Sequence, residues 1–149
     1  MGLKGIPKII SPELLQVLSA MGHGDEIVLA DIHFPSASIC RNGPTEIRAD
    51  GHSIPNLLEG ILHLFPLDTY VSSPAAIMQK TPQDKDLHLP NIEKYQQLLA
   101  AAEKRDILIE EVERFAFYQR AKKAFAVVHS GDTAKYGNII LTKGLVQYD

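Results

Sequence analysis

Three short runs of unbroken apolar residues set the strongest limit on how this chain can fold: Ile27-Val28-Leu29-Ala30, Phe125-Ala126-Val127-Val128 and Ile139-Ile140-Leu141. A strand with one face in water alternates apolar and polar positions, whereas a run without alternation is covered on both sides. Such strands belong in the interior of a sheet with helices above and below it. The intervening sequence supplies those helices. Ser11-Pro12-Glu13 reads as a helix start, with Ser11 accepting from free amides, Pro12 at the first position and Glu13 at the positive end of the dipole. Leu14, Leu15, Leu18 and Met21 then share a stripe, and Gly22 is expected to close the helix in the left-handed conformation.

Ser53 reads as the cap of a second helix, whose face of Leu57, Leu58, Ile61, Leu62 and Phe65 runs to Pro66. Residues 91–104, with Ile92, Tyr95, Leu98 and Leu99 on one face, and residues 114–124 read as further helices. Additional strands are expected at 45–51, 67–71, 75–78 and 107–109, while 36–44 and 80–90 read as loops. Helix and strand alternate without an internal repeat, which predicts one layered α/β domain over residues 1–149 with helices on both faces of a sheet. At 149 residues such a domain buries enough surface to fold without disulfides or a structural metal.

Composition narrows the partners. A net charge of −3 without a cluster of Lys or Arg argues against nucleic acid and against an anionic membrane surface. No run reaches the ~18 apolar residues of a membrane span. The single Cys40 cannot form an internal disulfide, and the N-terminus has no signal-like apolar stretch, so the cytoplasm is the expected compartment. Small neutral ligands remain.

Two positions near the first apolar run carry chemistry. His23 stands between Gly22 and Gly24, where nothing crowds a ligand and an imidazole can exchange a proton near neutral pH; a structural loop histidine fits the same residues. Asp31 follows the strand, at the end where ligands of open α/β sheets bind, though a turn or capping aspartate also ends strands this way. Asp68 reads as a turn residue or a ligand for a hydroxyl. Arg114 and Tyr118, four residues apart, share a helix face that suits a polyol or simply packs an aromatic under a guanidinium. Tyr136 and Asn138 flank Gly137 in a segment that offers donors, acceptors and close backbone approach, or merely leads into the last strand. The motifs of zinc hydrolases, dinucleotide binders, P-loops and serine hydrolases do not occur, which leaves simple proton transfer.

Four blocks in order carry a resemblance: Met21-Gly22-His23-Gly24-Asp25-Glu26; Ile47-Arg48-Ala49-Asp50-Gly51; Arg114-Phe115-Ala116-Phe117-Tyr118 with Arg120-Ala121-Lys122-Lys123-Ala124-Phe125-Ala126; and Tyr136-Gly137-Asn138-Ile139-Ile140-Leu141 with Lys143-Gly144. Together they resemble the ribose pyranase/fucose mutarotase family, and the block holding Arg114 and Tyr118 favours its fucose branch. The resemblance implies a three-layer α/β/α domain with a central mixed sheet. It also implies an enzyme, free of cofactor and metal, that interconverts the α and β anomers of L-fucose. His23 would be the general acid, Asp31 and Asp68 would hold sugar hydroxyls, Arg114 and Tyr118 would line the pocket, and Tyr136 and Asn138 would position the ring. Tyr118 would also shuttle a proton.

Rival readings are a non-catalytic sugar-binding or regulatory module, a pyranase acting on ribose, and a metal-dependent lyase or isomerase using His23, Asp25 and Asp31. One distance bears on assembly. An extended run from His23 to Asp31 would separate them by roughly 26 Å, more than a monosaccharide spans. With the resemblance, this predicts a closed homo-oligomer with sites near subunit interfaces, in which the His23 and Asp31 segment of one chain meets the Tyr136 and Asn138 segment of a neighbour.

Overall fold

The computed structural model describes residues 1–148. Helix α1 (Pro12–Ala20) starts as the sequence requires, with the Ser11 hydroxyl accepting from the Leu14 amide at 3.1 Å. The turn after it differs from expectation. Met21 ends α1 in an extended conformation, and Gly24 rather than Gly22 has the positive φ of 90°. Gly22 instead donates its amide to the Asp25 carboxylate at 2.7 Å, so a side chain closes the loop and leaves the left-handed turn to the residue after His23.

Strand β1 (Glu26–Ala30) follows, then a short helix α2 (Ser36–Ile39) inside the segment expected to be loop. Strand β2 (Thr45–Ala49) leads to α3 (Ile54–Leu62), capped by Ser53 on the Asn56 amide at 3.3 Å, as its sequence predicts. The expected strand at 67–71 does not form. Only an isolated bridge joins Leu67 to Lys143, because the Asp68 carboxylate turns back onto the Tyr70 amide and bends the chain away from the sheet. Strand β3 (Ala75–Met78), helix α4 (Pro90–Glu103), strand β4 (Ile109–Val112), helix α5 (Arg114–Lys122) and strands β5 (Ala126–Ser130) and β6 (Ile139–Thr142) complete the order. Strand β4 begins two residues later than its sequence suggests. Both carboxylate oxygens of Glu113 cap α5, accepting from the Phe115 and Ala116 amides.

All six strands form one mixed sheet in the order β2-β5-β1-β6-β3-β4. Strands β2, β5 and β1 pair in parallel, as do β3 and β4, and β6 runs antiparallel between β1 and β3. The other five strands therefore share one direction, and their carboxyl ends meet the start of β6 at one edge. Alternation along β1 divides the core. Ile27 and Leu29 pack against α1, α3 and α4, whereas Val28 and Ala30 pack against Phe34, α2 and α5. This is the three-layer arrangement expected. Among the described residues no helix is long and apolar enough to cross a membrane.

Candidate active site

A cavity of about 570 Å³ opens at the edge where the parallel strands end and β6 begins. That volume falls in the range of small-molecule sites. Asp31, Arg114, Tyr118, Tyr136 and Asn138, five of the seven residues singled out in the sequence, line it together. The antiparallel β6 produces this meeting, since it delivers Asn138 to the edge that β1 reaches at Asp31.

Asp31 is 3% exposed, and its backbone is tied to the facing segment: the Asp31 amide donates to Asn138 Oδ1 at 2.8 Å. Its carboxylate accepts from the His33 amide at 3.0 Å and the Gly137 amide at 3.1 Å. Burial pushes the Asp31 carboxyl above its ordinary range, and the backbone donors at His33 and Gly137 oppose the rise. Each oxygen keeps lone-pair capacity for a further donor. Asn138 is similarly half committed. Its Oδ1 must face the Asp31 amide, so its NH₂ is the group left over, and Nδ2 meets no protein acceptor among the described residues.

Tyr118 packs its ring against Phe34 at 5.7 Å between centroids and accepts from Arg114 Nε at 3.2 Å. The phenol proton remains available. Arg114 also lies over the Phe115 and Tyr118 rings, 5.4 and 5.6 Å from their centroids. A buried strut holds the segment between Tyr136 and Asn138, where the Tyr95 hydroxyl donates to Gly137 O. Tyr136 adopts φ of 55°, and its hydroxyl meets Thr81 and Asp84.

The segment 80–90, which reads as a loop in the sequence, thus supplies a wall through Thr81, Pro82, Gln83 and Asp84. Met78 and Lys135 also line the cavity. Met78 is the last residue of a buried strand, so its place at the strand's carboxyl end was a usable signal; the loop residues gave none, because no local pattern says which loop folds over which strand end.

His23 and Asp68 lie elsewhere. They sit at the opposite edge, where β1 starts and β6 ends, with His23 Nε2 2.9 Å from Asp68 Oδ1. Asp68 is 3% exposed and also accepts from the Tyr70 amide, while the Tyr70 ring stands edge-on to the imidazole at 5.0 Å. Burial acts to raise the Asp68 carboxyl, but the bonds from His23 and the Tyr70 and Thr69 amides prevail and hold it below its ordinary value. The five-residue β1 alone separates the two edges by roughly 17 Å.

The expected division of the site is therefore corrected: Asp31 keeps company with Tyr136 and Asn138 of its own chain, and it is His23 that stands apart. Nor do His23, Asp25 and Asp31 converge as a metal site requires; the Asp25 carboxylate is turned onto the Gly22 amide. Among the described residues no group of three or more His, Cys, Asp or Glu is placed to hold a metal ion.

Fold and site together define a mixed-sheet α/β domain with a largely apolar cavity, set with a few polar side chains, beyond the carboxyl ends of its parallel strands. The model of the RbsD / FucU transport protein family matches residues 4–146, and the chain belongs to that family. A protein from Mus musculus named fucose mutarotase is 61% identical over 144 residues, covering 95% of this chain and 94% of its own. An L-fucose mutarotase from Actinobacillus pleuropneumoniae is 54% identical over 147 residues, with 96% of each chain covered. Among solved structures, the fucose mutarotase of Streptococcus pneumoniae in complex with L-fucose superposes with a TM-score of 0.90 at 46% identity, covering 97% of this chain and all of its own. The Bacillus subtilis RbsD structure, 21% identical with a TM-score of 0.72, shares the fold.

Proposed function

We propose that this chain interconverts the α and β anomers of free L-fucose, with no cofactor. One observation carries the reading: Asp31, Asn138 and Tyr118 are each held by the protein through part of their hydrogen-bonding capacity and keep the rest for a ligand in the cavity. Asp31 has lone pairs to spare, Asn138 has its NH₂ and Tyr118 its proton, a set that suits a ring bearing several hydroxyls. Relatives named fucose mutarotase, and one of them solved with L-fucose, support this sugar.

The reaction needs little more. A proton goes to the ring oxygen as the anomeric hydroxyl loses one, the bond between C1 and the ring oxygen breaks, and the open-chain aldehyde rotates before closing on its other face. His23 is the general acid, oriented by Asp68 through Nε2 and so left with Nδ1 outward. Asp31 and Asn138 hold hydroxyls, and Tyr118 relays the proton.

A single chain cannot bring His23 to its own cavity, so the site is completed by a second copy. Exposed apolar side chains flank both halves: Tyr70 and Val71 beside His23, Ile32 and Phe115 beside the cavity. Contact between two such different patches is heterologous, and it forms a ring when the rotation from copy to copy closes. The test is anomer exchange measured by saturation-transfer NMR across free sugars. Acceleration for L-fucose above the buffer rate is expected; binding of fucose without acceleration would leave a sugar-binding module, and faster exchange of ribose would move the substrate.

A further inference from the structure

The Tyr136 hydroxyl lines the cavity with its hydrogen-bonding capacity already spent within the protein. A phenol has one proton and two lone pairs. Its proton goes to Asp84 Oδ2 at 2.7 Å, and its oxygen receives the Thr81 amide at 3.3 Å and the Thr81 hydroxyl at 3.1 Å. Because the phenol proton is committed to the carboxylate, the Thr81 hydroxyl is the donor in that third contact. Nothing remains for a sugar hydroxyl. Thr81 and Asp84 bracket one turn of 3₁₀ helix over Pro82–Asp84, and the Asp84 amide closes it on Thr81 O at 2.9 Å. The turn, Met78, Asp31 and Tyr118 all line the same cavity.

The backbone at Tyr136 agrees with such a commitment. A φ of 55° is unfavourable for a bulky side chain and persists only where its surroundings over-determine it. On one side of Tyr136, Gly137 is fixed by bonds to Asp31 and Tyr95; on the other, the phenol is fixed by Asp84.

We propose that Asp84 is a positioning residue of the sugar site: by taking the Tyr136 proton it fastens the Thr81–Asp84 turn as the cavity's outer wall, so that Tyr136 offers a sugar its ring face instead of its hydroxyl. This rests on the sugar-isomerase reading above. The wall acts on binding, since neither residue reaches the reacting protons. It also gives the segment 80–90 a role, carried by Thr81 and Asp84 through their contacts to the Tyr136 phenol.

Two measurements test it. In ligand-free protein, amide hydrogen exchange at Thr81 reports the wall directly. Asp84→Ala and Tyr136→Phe should each speed it roughly tenfold or more, and the double variant should add little to either, because both break one unit. Asp84→Asn, which keeps an oxygen to accept the phenol proton, should retain the protection. Unchanged exchange in Asp84→Ala, or equal loss in Asp84→Asn and Asp84→Ala, overturns the fastening. For fucose exchange, Asp84→Ala should raise KM roughly tenfold with kcat within about twofold. A fall in kcat at unchanged KM overturns the positioning role. The amide readout involves no sugar, so a protein that fails to turn over fucose removes the functional reading while the wall is still judged on its own.

Discussion

His23 and Asp68, forty-five positions apart, meet through a 2.9 Å contact between imidazole Nε2 and a buried carboxylate oxygen. This pair converts a loop histidine between two glycines into an oriented one. His23→Asn should leave the fold intact and lower the rate of fucose exchange by ~10²–10⁴-fold, the usual worth of a general acid. Turnover within a few-fold of the parent would show that the acid is another group.

Asp68 makes stability depend on pH at the acid end. Its carboxyl is held below the ordinary value in the folded state, so the folded chain binds fewer protons there. Its stabilisation is present above the unfolded pKa near 3.8 and is lost as pH falls through the lowered folded value. Urea unfolding of Asp68→Asn should therefore show a flatter pH dependence in that window than the parent; parallel curves would refute the assignment.

Asp31 has the opposite sign. Its carboxyl is raised by burial, so the folded chain binds more protons than the unfolded one above pH 3.8, and stability declines as pH rises through that interval. Only the ionised form accepts two hydroxyl protons, so kcat/KM should fall on the acid side at a higher pH than a free aspartate would set. Carbon-detected NMR of the Asp31 carboxyl locates the titration directly, and a value at or below that of free aspartate would contradict it.

If sites are shared, two inactive chains should rescue each other. Chains carrying His23→Asn keep the cavity, and chains carrying Asn138→Ala keep the imidazole. Co-assembled in equal amounts, roughly a quarter of heterologous boundaries would hold both intact halves and return that share of the exchange rate. A mixture as inactive as its components, or a monomer by light scattering, would end the shared-site reading.

Gly144 ties the Asp68 turn to the end of β6. A Cβ there would lie 2.5 Å from Leu67 O and 2.7 Å from Asp68 Cα, backbone atoms that cannot swing aside. The Gly144 amide also donates to Pro66 O at 2.8 Å. Gly144→Ala should cost roughly 1–3 kcal/mol in urea unfolding, the usual penalty of overpacking. It should also weaken fucose exchange by displacing Asp68 from His23. A variant as stable as the parent would show that the turn can yield.

Local pattern was enough to locate the buried strands and the starts of the first and third helices. Unbroken apolar runs mark β1, β5 and β6, and Ser11 and Ser53 cap the helices they precede, because both signals act between residues close in the chain. The family blocks likewise carried Arg114, Tyr118, Tyr136 and Asn138, and the end of the first apolar run marked Asp31; these five share one cavity. Which of the candidates stand together depended on how the strands assemble. Propensity at 67–71 favours a strand, yet the Asp68 side chain competes for the backbone and gives a turn that faces His23. The antiparallel insertion of β6 between β1 and β3 sends Asn138 to the edge of Asp31 and leaves His23 at the other. The wall from Thr81 to Asp84 was equally invisible, since its bond partner Tyr136 lies more than fifty residues away. Contacts at such separations depend on strand order and direction, which local pattern does not encode.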